Sequence, residues 1–244
     1  MQDHYSFQEG EMLLIDKPYG ATSFAVVKHI RWHILNMLGI KKIKVGHAGT
    51  LDPLATGLLI VLTGKKTKEI EQFMGLDKVY TGSIKLGAIT ACYDREKPEE
   101  NHCEVPAFTR EDLEQIARQL TGEIEQFPPI FSALKVDGKK MYQQARDGSA
   151  PKEIKSRKVQ IHSFELTDID LPFIHFRIHC GKGTYIRSMA YDFGKLAGCG
   201  GYLYSLRRES IGSFSVDDAI MGIREEDFSF RESIFPATNP ESQL

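Results

Sequence analysis

Hydrophobic positions along the chain change between a helical rhythm and a strand rhythm without a regular beat. Met12-Leu13-Leu14-Ile15 predicts a short buried strand, stopped by the turn signal Lys17-Pro18-Tyr19-Gly20. Thr22 and Ser23 can cap a helix whose apolar positions Val26, Val27, Ile30, Ile34, Leu35 and Leu38 recur at helical spacing until Gly39. Leu58 to Leu62 is continuously apolar, and Lys78 to Leu86 carries Val and Tyr at strand spacing. Thr90 to Pro106 is polar and predicts a surface loop. Thr109 with Asp112 resembles a capping box ahead of the stripe Leu113, Ile116, Ala117 and Leu120, which Gly122 ends. Residues 157–166 and 173–180 then alternate as strands. In the second, Ile174, Phe176, Ile178 and Cys180 share one face, and His175, Arg177 and His179 share the other. Ile186, Met189, Ala190, Phe193 and Leu196 predict a further helix, stopped at Gly198.

Strands and helices interspersed in this way predict an α+β fold with a large mixed, mainly antiparallel sheet flanked by helices and loops. A chain of 244 residues, 41% hydrophobic, can bury one large core or two small ones, and one domain is the expectation. Apolar runs are too short to cross a membrane, and the polar start MQDHYSFQEGEMLL has no signal-peptide pattern, so a cytoplasmic protein without a membrane partner is expected. Cys92, Cys103, Cys180 and Cys199 lack both C-x-x-C spacing and histidines at zinc spacing, which predicts reduced thiols and no metal site. The net charge of −2 excludes a uniformly basic coat but leaves room for a basic face.

Restrictive residues concentrate in Gly46-His47-Ala48-Gly49-Thr50-Leu51-Asp52-Pro53-Leu54-Ala55-Thr56-Gly57. Such a stretch fits an ordered loop that presents one carboxylate, and it fits equally an aspartate capping a helix that Pro53 would begin. Gly181-Lys182-Gly183-Thr184-Tyr185-Ile186-Arg187 lies between a strand and a helix, where glycine N–H groups and two cations could receive an anion. It is not a nucleotide-phosphate loop, because Phe176 stands where that pattern needs Gly and Gly183 where it needs Ser or Thr. Lys135, Lys139, Lys140 and Arg146, with Tyr142 among them, and Lys152, Lys155, Arg157 and Lys158 make two basic clusters. Each suits an RNA backbone or a plain solvated surface.

Taken together, these blocks resemble the bacterial tRNA pseudouridine-55 synthases of the TruB type. The likeness runs through Leu14 to Pro18 with Gly20 and Ser23, Gly46 to Gly57, Tyr80-Thr81-Gly82 and Leu86-Gly87. It continues through Gln126, Pro128-Pro129, Ser132-Ala133, Lys135, Gly138, Tyr142, Ala145-Arg146 and Gly148, then Gly181 to Arg187 and Leu206-Arg207-Arg208. The resemblance implies the pseudouridine-synthase fold, with a central cleft in its sheet, and isomerisation of the T-loop uridine of tRNA by base flipping. It further implies Asp52 as the catalytic carboxylate, Tyr80 packed on the target base and Arg187 paired with the aspartate. His47 would lie near the flipped nucleotide, Tyr185 and Leu206 would line the uridine pocket, and Lys17-Pro18 would be a supporting motif. No cofactor, no metal and no obligate protein partner are implied, and a monomer is expected.

Two departures stand out. The acidic stretch usual after Leu-Gly-x-x-Thr is Thr90-Ala91-Cys92-Tyr93-Asp94 here, so its first acid is missing. The expected division is a catalytic domain over residues 1–235 and a polar tail over 236–244, with the PUA-type domain of longer relatives absent. A guide-RNA-dependent relative and a non-catalytic RNA-binding protein are the rival readings. A glycoside hydrolase would need a second carboxylate in a comparable loop.

Overall fold

The computed structural model describes residues 5–131, 135–136, 139–141 and 155–219. The expectations for Ser132-Ala133, Gly138, Tyr142, Ala145-Arg146, Gly148, Lys152 and the tail 236–244 lie outside them, and Lys135, Lys139 and Lys140 are described by backbone alone. In chain order the strands and helices are β1 (Met12–Lys17), α1 (Ser23–Leu38), β2 (Val45–His47), β3 (Thr56–Thr63), α2 (Ile70–Met74), β4 (Lys78–Leu86), β5 (Ile89–Thr90) and β6 (Glu99–Glu100). Then follow α3 (Arg110–Gln119), β7 (Gly122–Gln126), β8 (Lys135–Val136), β9 (Lys139–Lys140), β10 (Arg157–Asp170) and β11 (Phe173–Cys180). The last are α4 (Ile186–Leu196), β12 (Gly201–Ile211) and β13 (Phe214–Ser215). The chain divides into two compact units, one formed by residues up to Leu76 with those from Arg207 onward, the other by Asp77–Leu206.

In the first unit β3 is the central strand. It pairs antiparallel with β1, from Met12↔Leu62 to Lys17↔Gly57, antiparallel with β2, and parallel with β12 through Arg207↔Thr56 and Arg208↔Gly57. Its apolar run is explained by cover on both faces. Leu59 and Val61 pack with Val26, Val27, Ile30 and Ile34 of α1, while Leu58, Ile60 and Leu62 pack with Ile211 and Val216. Each such side chain contributes about 1.5–3 kcal/mol by leaving water. Helix α1 begins where predicted, with Thr22 accepting from the Ala25 N–H, and ends at Gly39 in the left-handed conformation (φ 62°).

The second unit is antiparallel through β4–β11–β10–β7, with β12 beside β4. Ile174, Phe176, Ile178 and Cys180 of β11 are all buried, as the alternation predicts. They form a core with Phe164, Leu113, Ile116 and Ala117 of α3, and Met189, Ala190 and Phe193 of α4; Phe164 touches Phe176 and Phe193 at centroid distances of 6.0 and 5.7 Å. The capping box of α3 is present, with Thr109 and Asp112 each bonding the other's backbone N–H.

The sheet is mixed and mainly antiparallel, as expected. The segment Thr90–Pro106 differs from its prediction as a surface loop. β5 and β6 pair within it, and Thr90, Cys92 and Asp94 are buried. Its polar side chains bond one another: the Thr90 hydroxyl donates to the Asp94 carbonyl at 2.6 Å and the Cys92 thiol to Asp94 Oδ1 at 2.9 Å. Internal satisfaction of this kind is what lets a polar segment be buried.

Candidate active-site loops

Asp52 sits on the connection from β2 to β3, half-buried, and no helix follows Pro53. The chain instead makes a tight turn, with the Ala55 N–H donating to the Asp52 carbonyl at 3.1 Å, and enters β3 at Thr56. The helix-capping alternative is therefore excluded. Three side chains from elsewhere in the sequence fix this loop. Buried Ser23, the first residue of α1, both accepts from the Leu51 N–H (2.9 Å) and donates to the Leu51 carbonyl (3.0 Å). Lys17, at the end of β1, is fully buried and donates to the carbonyls of Pro18 (2.9 Å), Ala21 (2.7 Å) and Pro53 (3.2 Å). Arg208, 1% exposed, donates to the carbonyls of Leu58 (2.7 Å) and Gly49 (3.1 Å). Gly57 admits Arg208 at all, since a Cβ there would stand 2.3 Å from the Arg208 carbonyl oxygen.

These two buried cations set the local electrostatics. Burial pushes the Lys17 amine down from 10.5 to about 8, opposed by attraction to Asp52 and lowered further by Arg208. His47, the last residue of β2, is pushed below its ordinary value by burial, then by Arg208, with a backbone hydrogen bond at Gly49 opposing. Its imidazole is therefore neutral at pH 7.

The other four expected residues lie in the second unit. Tyr80 is on β4, 8% exposed and opposite Ile178. Leu206 is on β12, the strand next to β4. Tyr185 is the residue before α4, and the guanidinium of Arg157 lies 4.3 Å from its ring centroid. Fully buried Gln126 holds the Tyr185 backbone at both ends, donating to its carbonyl at 3.0 Å and accepting from its N–H at 2.7 Å.

Arg187, in the first turn of α4, is 5% exposed. It donates to the carbonyls of Cys92 (3.1 Å) and Phe131 (3.0 Å), and its Nε stands 3.6 Å from Asp94 Oδ2. A buried cation held by two carbonyls and a buried carboxylate is no surface ion pair, and of the loop's two cations only Lys182 is exposed. The loop's Gly183 carbonyl is taken by Arg157, and its Gly181 carbonyl accepts from the Thr184 hydroxyl at 2.9 Å.

Sequence reasoning placed Lys17, Ser23, Gln126 and Arg208 in motifs without seeing what they do. Polar residues that bond only backbone leave no partner visible in the sequence; the sole signal was their place beside glycine and proline. It also missed a groove of about 430 Å³ in the first unit, lined by Lys42, Lys44, Lys65 and Lys68. The two pairs are about twenty residues apart in sequence and meet only once β2 pairs with the C-terminal end of β3 through Val45↔Thr63, with Lys65 also bonded to Glu9 at 2.6 Å. No described helix is long and apolar enough to cross a membrane.

Comparisons with known proteins give the chain's relatives. Residues 36–186 match the family model described as TruB family pseudouridylate synthase (N terminal domain). The chain is 52% identical over 211 residues to tRNA pseudouridine synthase B of Chloroherpeton thalassium, covering 86% of this chain and 87% of that protein. It is 49% identical over 215 residues to the protein of the same name from Flavobacterium johnsoniae, with 88% and 93% covered. Among solved structures, a Cbf5-Nop10-Gar1 complex matches at TM-score 0.63 and 28% identity, over 86% of this chain and 50% of that one.

Proposed function

The chain belongs to the TruB family of pseudouridylate synthases, and from that premise we propose that it isomerises uridine 55 in the T-loop of tRNA to pseudouridine, with Asp52 as the essential carboxylate. The observation that carries this reading is the Asp52 loop: a half-buried carboxylate on a backbone held by Ser23, Lys17 and Arg208. In the reaction the bond from N1 to C1′ breaks and a bond from C5 to C1′ forms, while C5 gives up its proton to solvent and N1 takes one up. Atoms are conserved without redox change or net hydrolysis, so a positioned carboxylate and an enclosed base suffice, and no cofactor or metal is part of the proposal.

The remaining roles follow from chemistry and place. Arg187 is the orienting guanidinium of the catalytic set, fixed by the Cys92 and Phe131 carbonyls. Tyr80 and Tyr185 receive the extracted base by stacking, each contact contributing about 1–3 kcal/mol towards the few kcal/mol that extraction costs. Neutral His47 stands near the flipped nucleotide, and Leu206 lines the uridine pocket. Lysines of the 42–68 groove meet tRNA phosphates. The enzyme works as a cytoplasmic monomer on the T-stem-loop without a protein partner. Residues 1–235 constitute the catalytic domain.

The likeness to the Cbf5 complex favours a second reading, in which partner proteins are needed for activity. One experiment separates the two: tritium release from tRNA transcripts tritiated at uridine C5, with the purified chain alone and with a transcript whose T-loop uridine is replaced. Release that vanishes with the replacement supports the proposal. Release from the replaced transcript overturns the target, and no release without added proteins overturns the stand-alone reading.

A further inference from the structure

Three metal-ligand side chains outside the loops described above meet on the solvent side of the second unit. His162 on β10 and His179 on β11 have ring centroids 4.6 Å apart. Asp77, the residue before β4, places Oδ2 3.1 Å from His162 Nε2 and 3.9 Å from His179 Nε2. All three donor atoms fall within 4.8 Å of one another.

The strand pairing shows how this meeting arises. Ile161 pairs with Cys180 and Ser163 with His179, so His162 is an extra residue in the ladder. The buried positions on either side are Ile161 and Phe164, three apart rather than two, which leaves His162 and Ser163 together on the outer side. A bulge gives up a regular ladder position and re-aims a side chain, and here the re-aimed side chain is the imidazole that completes the cluster.

We propose that Asp77, His162 and His179 form a binding site for a zinc-class divalent transition metal, with water in the fourth position. Two imidazoles and one carboxylate suit zinc, cobalt, nickel or copper, whereas calcium and magnesium prefer oxygen alone. Tetrahedral ligand bonds of about 2.0–2.1 Å put donor atoms roughly 3.4 Å apart. The spacings of 3.1 and 3.9 Å bracket that value, so small side-chain rotations close the site. With side-chain exposures of 37%, 43% and 48%, all three are open to an arriving ion and to its remaining water. Bound metal ties β10, β11 and the entry to β4 together, so its effect is on stability and has no part in the isomerisation.

The test uses the full chain, stripped of metal with chelator and titrated with cobalt(II), reading the visible absorption of four-coordinate cobalt and the melting temperature. His29 and His33 form another imidazole pair, with Nε2 atoms 3.1 Å apart, so every measurement is made in a His33→Gln background. We expect one cobalt per chain, displaced by zinc, and a raised melting temperature. His162→Gln, His179→Gln or Asp77→Asn should each weaken binding by more than about tenfold, with circular dichroism unchanged. Binding that survives the His162→Gln/His179→Gln double variant overturns the site, as does a folded parent chain that shows neither absorption nor a melting shift at millimolar metal.

Discussion

The loop bearing Asp52 and the loop bearing Arg187 read alike in sequence: Gly49-Thr50-Leu51-Asp52 and Gly183-Thr184-Tyr185-Ile186-Arg187, each with its glycine at positive φ (95° and 82°). Their construction differs. The first is held by side chains from outside it, and its charged group is left half-buried with its backbone fixed. In the second the charged group is itself an anchor, donating to the Cys92 and Phe131 carbonyls and facing Asp94. A carboxylate that must react needs a rigid backbone beneath it, whereas an arginine that must orient needs a fixed guanidinium.

The sharpest way to break this contrast is at the two charges. Asp52→Asn should abolish pseudouridine formation in a T-stem-loop RNA while melting temperature and RNA binding stay near those of the parent; a fully active variant would sink the assignment. Arg187→Lys keeps the charge but loses the planar fork, and we expect turnover to fall by more than about tenfold, equivalent to about 1.4 kcal/mol. Normal turnover in that variant would show that the fork plays no part in the reaction.

At Asp94 the effect should pass to stability. Asp94→Ala removes the carboxylate facing Arg187 and the acceptor of both the Glu96 N–H (2.9 Å) and the Cys92 thiol. Deleting one member of a buried charged network costs about 3 kcal/mol, read as a lower denaturant midpoint. Unchanged stability would mean that the Arg187 loop is held without its acid.

On the Asp52 side the corresponding cut is Ser23→Ala, which removes two hydrogen bonds to Leu51. Stability should fall by about 1–2 kcal/mol, at about 1 kcal/mol for each bond. Turnover should fall further than stability explains, because a carboxylate displaced by 1 Å loses on the order of a hundredfold. Equal loss of both would reduce Ser23 to an ordinary core hydroxyl.

How much of this was legible follows from the physics of each element. Helices α1 and α3 could be read from end to end, because Thr22, Gly39 and the Thr109–Asp112 box act through neighbours in sequence. Strands β4 and β11 could be read from alternation. Strand β12 was recognised only as the motif around Leu206-Arg207-Arg208, since it crosses from one unit to the other and its inward positions include a buried arginine. Asp52 and Arg187 were nominated by their glycine-rich settings and by resemblance. Their supports remained invisible because Lys17, Ser23 and Arg208 on one side, and Arg187 itself on the other, bond carbonyls and amides, which every residue carries.

A finer distinction lies in pH. Lys17 titrates at about 8 in the folded chain against 10.5 when unfolded, so between those values the unfolded chain holds a proton that the folded one has lost. Lys17 therefore adds stability to the parent, relative to Lys17→Met, as pH rises across that window. Turnover should move the other way, declining above about pH 8 as the cation beside Asp52 is lost, and Lys17→Met should lack that decline.

The smallest expected effect is at His47, whose folded value lies below 6.5 because burial and Arg208 disfavour its charged form. As pH falls through that window the unfolded chain takes up a proton before the folded one, so His47 costs stability in acid and the cost disappears above about 6.5. His47→Gln should remove this slope from the difference between stability curves at pH 5 and 7, leaving the acid response of the carboxylates. A slope that persists in the variant would return the titration to other groups, and the electrostatic account of the Asp52 loop would then rest on Lys17 and Arg208 alone.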